Sequence, residues 1–179
     1  MPQETQHEQT GLKIKPFIQS KALCGPASLK ILLSYFGKDF TEEQLAGLAD
    51  ATIETGTEHE GLVQAVKSSG GFVFAKENGT IDELEYFIKE EKLPVIVGWF
   101  DKSGAYWGDH YTVVANVTDK NIIMVDPAVN EPERWVERDK FPGVWFDFTG
   151  KDNRTVSWGW YMVVTFEKKK FKVKGGYYY

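Results

Sequence analysis

Apolar positions in the first half of the chain recur at helical spacing, whereas in the second half they gather into short β-branched and aromatic runs. Ala27, Leu29, Ile31, Leu32, Leu33, Tyr35 and Phe36 form one apolar helix, opened by Gly25-Pro26 and stopped by Gly37. Three further helices are predicted over 41–49, 58–69 and 81–91. Each is announced by a threonine with Gln or Glu three residues later: Thr41 with Gln44, Thr57 with Glu60, Thr80 with Glu83. They would bury Leu45 and Leu48, then Leu62, Val63 and Val66, then Leu84, Phe87 and Ile88. From Pro94 the runs Val95 to Phe100, Tyr111 to Val117, Ile122 to Val125 and Trp160 to Phe166 read as strands. Leu12 to Ile18 alternates apolar and basic residues, but Pro16 limits it to an edge strand or extended segment that delivers Gln19. An all-helical half followed by an all-strand half predicts an α+β fold, the N-terminal helices packed on a C-terminal antiparallel sheet.

Between the strands, Ser103 to Asp109 and Ala128 to Thr155 read as loops and hold many of the aromatics, among them Tyr106, Trp107, Trp135, Trp145, Phe146 and Phe148. The long aromatic stretch from Trp135 to Trp158 either lines a substrate cleft or caps the sheet. Met1 to Gly11 reads as a disordered leader, 12–167 as a single domain, and 168–179 as a basic and aromatic tail in which Gly175-Gly176 is a flexible joint.

Composition narrows the classes. The 179 residues are 42% hydrophobic and 15% aromatic, enough apolar matter for one core. A formal net charge of -5 speaks against an extended phosphate-binding face, so nucleic acid is set aside as a partner. No stretch approaches the roughly 18 apolar residues of a membrane span, and the polar start has no signal-like apolar run, so the expected compartment is the cytoplasm unless a signal was removed. The single cysteine, Cys24, cannot form an intramolecular disulfide.

Cys24 falls at a helix N-terminus, where unpaired amides and the helix dipole favour negative charge on sulfur. An activated thiol needs a base, and there are three histidines. His7 lies in the polar leader and His59 in a first helical turn between Glu58 and Glu60, where a solvated surface histidine is expected; His110, at the start of a strand, is the base favoured by position. Asp126 ends the strand Ile122 to Val125. A turn at Thr118-Asp119-Lys120-Asn121 pairs that strand with Tyr111 to Val117, which sets residue 110 opposite roughly 126 to 129. The spacing therefore predicts that Asp126 orients His110. The backbone amide of Cys24 and the side-chain amide of Gln19 are candidate oxyanion donors. Gly25, Trp107 and Asp109, which flank the nucleophile and the base in sequence, are expected to contact substrate. Zinc on Cys24 and His110 is disfavoured, because clustered Cys/His spacing is lacking, and neither metal nor cofactor is expected.

Gln19, Cys24-Gly25-Pro26-Ala27-Ser28, Gly108-Asp109-His110-Tyr111-Thr112-Val113-Val114 and Val125-Asp126-Pro127-Ala128, taken in order, resemble the papain-like double-glycine peptidases that process bacteriocin leader peptides, and especially the stand-alone domains related to them. The segment Gly56 to Val63 is also similar, and the resemblance spans residues 12 to 166. It implies a papain-like cysteine proteinase fold, with Cys24 as nucleophile, His110 as base, Asp126 as orienting acid and Gln19 as oxyanion donor. The implied activity is hydrolysis of a peptide or amide bond in a peptide or protein substrate, through an acyl-enzyme on Cys24. A transpeptidase or acyltransferase on the same scaffold, and a non-catalytic peptide-binding module, are the alternatives. The leader-processing members carry a fused transporter; this chain does not, so a bacteriocin role does not follow.

Overall fold

The computed structural model describes residues 11–103, 106–150 and 152–179. Its elements in chain order are α1 (Cys24–Tyr35), α2 (Glu42–Leu48), α3 (His59–Ser68), β1 (Phe72–Lys76), α4 (Ile81–Lys89), β2 (Val95–Ser103), β3 (Tyr106–Val117), β4 (Asn121–Val125), β5 (Arg134–Glu137), a 3-10 turn (Phe141–Gly143), β6 (Phe146–Thr149), β7 (Thr155–Trp158), β8 (Tyr161–Thr165) and β9 (Tyr177–Tyr178). The expected leader falls almost wholly outside the described residues.

Local chemistry sets most helix ends. Thr41 with Gln44 and Thr80 with Glu83 form reciprocal capping boxes at the starts of α2 and α4. The third signal fails. α3 starts one residue later, with Glu58 at the cap and no side-chain cap bond, because Thr57 is held against Gly25 of α1. Gly37, at φ 69°, supplies the left-handed stop after α1.

Seven strands form one sheet in the order β5-β4-β3-β2-β8-β1-β9, and every neighbouring pair is antiparallel. Alternation divides its side chains between two faces. Ile96, Val113, Ala115, Met162 and Val164 pack with Leu29, Leu32, Leu62 and Val66 of α1 and α3. Val95, Val97, Val114, Met124, Tyr161 and Val163 pack with Leu84 and Phe87 of α4 and with Phe141 and Trp145. Residues 12–18 run beside β3, tied by Leu12 N–H to Ala115 O at 2.9 Å, and reach the C-terminal end of β4 through Gln19 N–H to Pro127 O at 2.9 Å.

Three expectations need correction. The first half is not all helical: Phe72–Lys76 is a strand that pairs with β8 from Phe72↔Thr165 to Lys76↔Tyr161. Its five residues are too short to stand out between two amphipathic helices. Residues 103–109 are not simply a loop, since β2 and β3 continue as a hairpin to Ser103↔Tyr106, which places His110 inside a strand. The stretch 128–155 contains β5 and β6, and β6 pairs with β7 in a separate two-stranded sheet. The terminal residues also have a place, Tyr177–Tyr178 adding an edge strand to β1 with Tyr178 packed on Phe74 and Phe171. No helix among the described residues is long and apolar enough to cross a membrane.

Candidate active site

Cys24 is the first residue of α1, half-buried, with Leu23 at a cap that has no side-chain bond. The first amides of a helix have no partner within it. Ala27 N–H is already satisfied by Leu23 O at 2.9 Å and Pro26 has no N–H, which leaves the amides of Cys24 and Gly25 as the first-turn donors without an intrahelical partner. Gly25 is required by packing: a Cβ there would lie 2.8 Å from Thr57 Cβ and Oγ1. Ser28 Oγ–H donates to Tyr111 O at 3.0 Å and Tyr111 O–H donates to Thr57 O at 3.0 Å. These bonds tie the start of α1 to β3 beside His110.

His110 and Asp126 meet as the strand pairing predicts. The β3–β4 register of Val113↔Val125 and Val114↔Met124 brings their ends together, and His110 Nε2 lies 2.7 Å from Asp126 Oδ1. Both are buried. With Nε2 turned to the carboxylate, Nδ1 is left for Cys24. Burial opposes the charged imidazole, but hydrogen bonds with Asp126 and Cys24, and the negative charges of both, outweigh it and push the His110 pKa up to about 10. Burial likewise acts to raise the Asp126 carboxyl, yet the bond to His110, its charge, the Ala128 amide at 2.8 Å and Arg134 hold it below the ordinary carboxylate range.

Arg134 on β5 is a member that sequence reasoning missed. Its Nη1 donates to Asp126 Oδ2 at 2.9 Å and to Asp101 Oδ2 at 2.7 Å, Nη2 donates to Asp101 Oδ1, and the guanidinium lies 4.8 Å from the Trp99 ring centre. The donor atoms of Asp101, His110 and Asp126 lie close enough together for a cation. Arg134 already bridges the two carboxylates and supplies that positive charge itself. Its position in a stretch read as loop gave no periodic signal linking it to Asp126.

The remaining candidates divide. Gln19 is half-buried, its backbone fastened to Pro127 next to Asp126, and its buried Oε1 has no hydrogen-bond partner among the described residues. Trp107 is exposed and stacks on Phe100 at 6.0 Å and 14°. Asp109 Oδ1 accepts from Phe148 N–H at 3.0 Å; its pKa is raised by partial desolvation, with Asp147 and Glu58 adding to the rise. His59 is corrected. It is a buried histidine, not a surface one, with Nε2 2.7 Å from Asp147 Oδ2 and its ring stacked on Trp160 at 3.9 Å. Asp147 lies 88 residues further on, in β6, and no local pattern connects it to residue 59.

A family model described as the Peptidase C39 family matches residues 17–149. An uncharacterized protein of Methanothermobacter marburgensis is 35% identical over 127 residues, covering 71% of this chain and 77% of that relative. One of Methanothermobacter thermautotrophicus is 34% identical over 108 residues, 59% of this chain and 66% of the relative. The pediocin PA-1 transport/processing ATP-binding protein PedD of Pediococcus acidilactici is 32% identical over 122 residues, 68% of this chain and only 16% of that protein. The chain thus spans just under two thirds of one archaeal relative and a small part of the transporter. Among solved structures, the peptidase domain of Streptococcus ComA, a bi-functional ABC transporter involved in quorum sensing, has a TM-score of 0.63 at 20% identity over 86% of this chain and 97% of that one. A C39-like peptidase from Bacillus anthracis gives 0.65 at 17% identity over 88% and 100%. A double glycine motif protease from an AMS/PCAT transporter, in complex with its leader peptide, gives 0.63 at 19% identity over 87% and 94%. At these identities the structures share the fold.

Proposed function

The chain belongs to the peptidase C39 family of papain-like cysteine peptidases, and from that premise we propose that it hydrolyses peptide bonds through an acyl-enzyme on Cys24, with His110, Asp126 and Gln19 in the supporting roles. The observation that carries the reading is the His110–Asp126 bond of 2.7 Å beside a cysteine that opens a helix.

In the proposed cycle His110 Nδ1 takes the Cys24 proton and Sγ attacks the carbonyl carbon. The Cys24 amide and the Gln19 side-chain amide donate to the developing oxyanion. As the intermediate collapses, the imidazolium passes its proton to the leaving amine and a thioester remains. His110 then deprotonates a water that attacks the thioester, and the acid product leaves as the proton returns to sulfur. Asp126 holds the tautomer and stabilises the imidazolium. Peptides with a Gly-Gly cleavage site are the substrate class we favour, because a neighbour of the same fold is a double glycine motif protease bound to a leader peptide. We assign the enzyme to the cytoplasm, a reducing compartment in which a nucleophilic thiol stays reduced.

The test is a library of quenched peptides, with and without Gly-Gly, incubated with wild type and Cys24→Ala in the presence and absence of an added amine. Cleavage to free acids by wild type alone is expected. Amide-linked products with the added amine would favour acyl transfer instead, and no turnover by a folded protein whose Cys24 alkylates no faster than free cysteine would overturn the reading.

A further inference from the structure

β6 and β7 form a hairpin that lies against β2 and β3, and its attachment is polar, with a buried contact at its centre. Asp147 of β6 is 2% exposed and bonds His59 at the first residue of α3, so the contact joins the helical layer to the hairpin. Strand β2 makes room for it, since a Cβ at Gly98 would overlap the Asp147 carboxylate. Two contacts flank this one. Asp109 Oδ1 accepts from Phe148 N–H at 3.0 Å, and Glu58 Oε2 accepts from Gly150 N–H at 3.1 Å.

The anchors all adjoin the reaction centre. Asp109 precedes His110, while Glu58 and His59 follow Thr57, whose side chain meets Gly25 next to Cys24. The hairpin in turn presents half-buried aromatics: Phe146 stacks on Phe100 at 5.2 Å, Phe148 meets the same ring edge-on at 5.9 Å, and Phe100 stacks on Trp107. A buried His–Asp pair is a poor source of stability, because desolvation offsets its attraction, and Asp147 Oδ1 has no partner among the described residues. Such pairs serve better to hold one arrangement against others.

We propose that His59 and Asp147 are positioning residues that fix the β6–β7 hairpin as a wall of the substrate cleft, so that its aromatic face holds a peptide in place for attack by Cys24. The inference rests on the peptidase reading above. The pair acts through the hairpin and touches no reacting atom, so its loss is felt by a peptide and not by a small electrophile.

Two alkylation rates at Cys24, followed by mass spectrometry, separate these effects. Iodoacetamide reports the thiol, and a peptidyl chloromethyl ketone ending in Gly-Gly reports the thiol and the cleft together. His59→Phe keeps the ring on Trp160 without the bond, His59→Gln restores an amide donor, and Gly98→Ala pushes Asp147 from the other side. His59→Phe and Gly98→Ala are expected to slow the peptidyl reagent about tenfold or more with the iodoacetamide rate within about twofold, and His59→Gln to recover most of the loss. Equal falls in both rates, or no change in either, would overturn the proposal. Should His59→Phe not fold, Asp147→Asn, which keeps shape and volume, carries the same comparison. A wild-type Cys24 that reacts with iodoacetamide no faster than free cysteine tells against the peptidase reading instead.

Discussion

Arg134 donates from Nη1 to Asp126 Oδ2 at 2.9 Å, on the oxygen that His110 does not use. The carboxylate therefore sits between an imidazole and a guanidinium, and each oxygen is assigned. Asp126, held below the usual carboxylate range, contributes stability that is present above the unfolded value and lost as pH falls through the folded one.

Arg134→Gln leaves the Asp101 and Asp126 carboxylates buried without their shared cation. Orphaning a fully buried charge costs about 3–5 kcal/mol, and with 24% of the Arg134 side chain exposed we expect about 2–3 kcal/mol at neutral pH. The deficit should shrink below about pH 4, where carboxyls protonate and no longer need the cation. Urea denaturation of both proteins at pH 7 and at about pH 3 measures it, and an equal deficit at the two values would contradict the electrostatic account.

His110, with its pKa pushed up to about 10, works in the opposite direction. Its folded value exceeds the ordinary one near 6.5, so its contribution to stability is complete below about pH 6.5 and is lost as pH rises through about 10. Because Cys24 is one of the groups that raise it, Cys24→Ala should lower the His110 titration midpoint and bring that loss to lower pH. An NMR titration of the imidazole in both proteins checks this. An unchanged midpoint would show that Cys24 and His110 are not coupled.

Asp126→Asn keeps the shape of the side chain but removes its negative charge and turns one acceptor oxygen into an NH2 donor, which must face either His110 and the Ala128 amide or Arg134. In Ser-His-Asp enzymes the equivalent change costs about 10⁴-fold in kcat, and a thiol enzyme, whose nucleophile ionises more readily, is expected to lose on the order of 10²–10⁴-fold. Steady-state cleavage of a quenched Gly-Gly peptide measures the loss. A fall below about tenfold would remove Asp126 from the proposed triad.

The sequence made the periodic parts legible: the α1 stripe, two of three capping boxes, and the β3–β4 pairing that joins His110 to Asp126. What it hid depends on contacts across long separations. β1 is five residues long, and its place becomes clear only when β8, 85 or more residues later, pairs with it. His59 lies in a polar first turn that reads as solvent-facing until Asp147 and Trp160 close over it. Arg134 occupies an irregular stretch whose link to Asp126 and Asp101 is set by the twist of the sheet edge, not by spacing. Thr57 carried a valid capping signal, and packing against Gly25 overrode it.

That last contact gives a prediction in which local propensity and packing oppose each other. Gly25 is the second residue of α1, where alanine is intrinsically better by roughly 1 kcal/mol. A Cβ at that site meets Thr57 Cβ and Oγ1 at 2.8 Å, and overpacking of this kind costs about 1–3 kcal/mol. Gly25→Ala alone should therefore destabilise the protein and slow alkylation of the adjoining Cys24, as the start of α1 is pushed off Thr57. In a Thr57→Gly background the Thr57 obstruction is gone and only the flexible end of Leu62, Cδ2 at 3.1 Å, stays close, so the same substitution should become near neutral. A double-mutant cycle by urea denaturation reads the coupling directly. Additive effects would mean that α1 and the 57–58 segment shift apart freely, and that Gly25 is not required by its contact with Thr57.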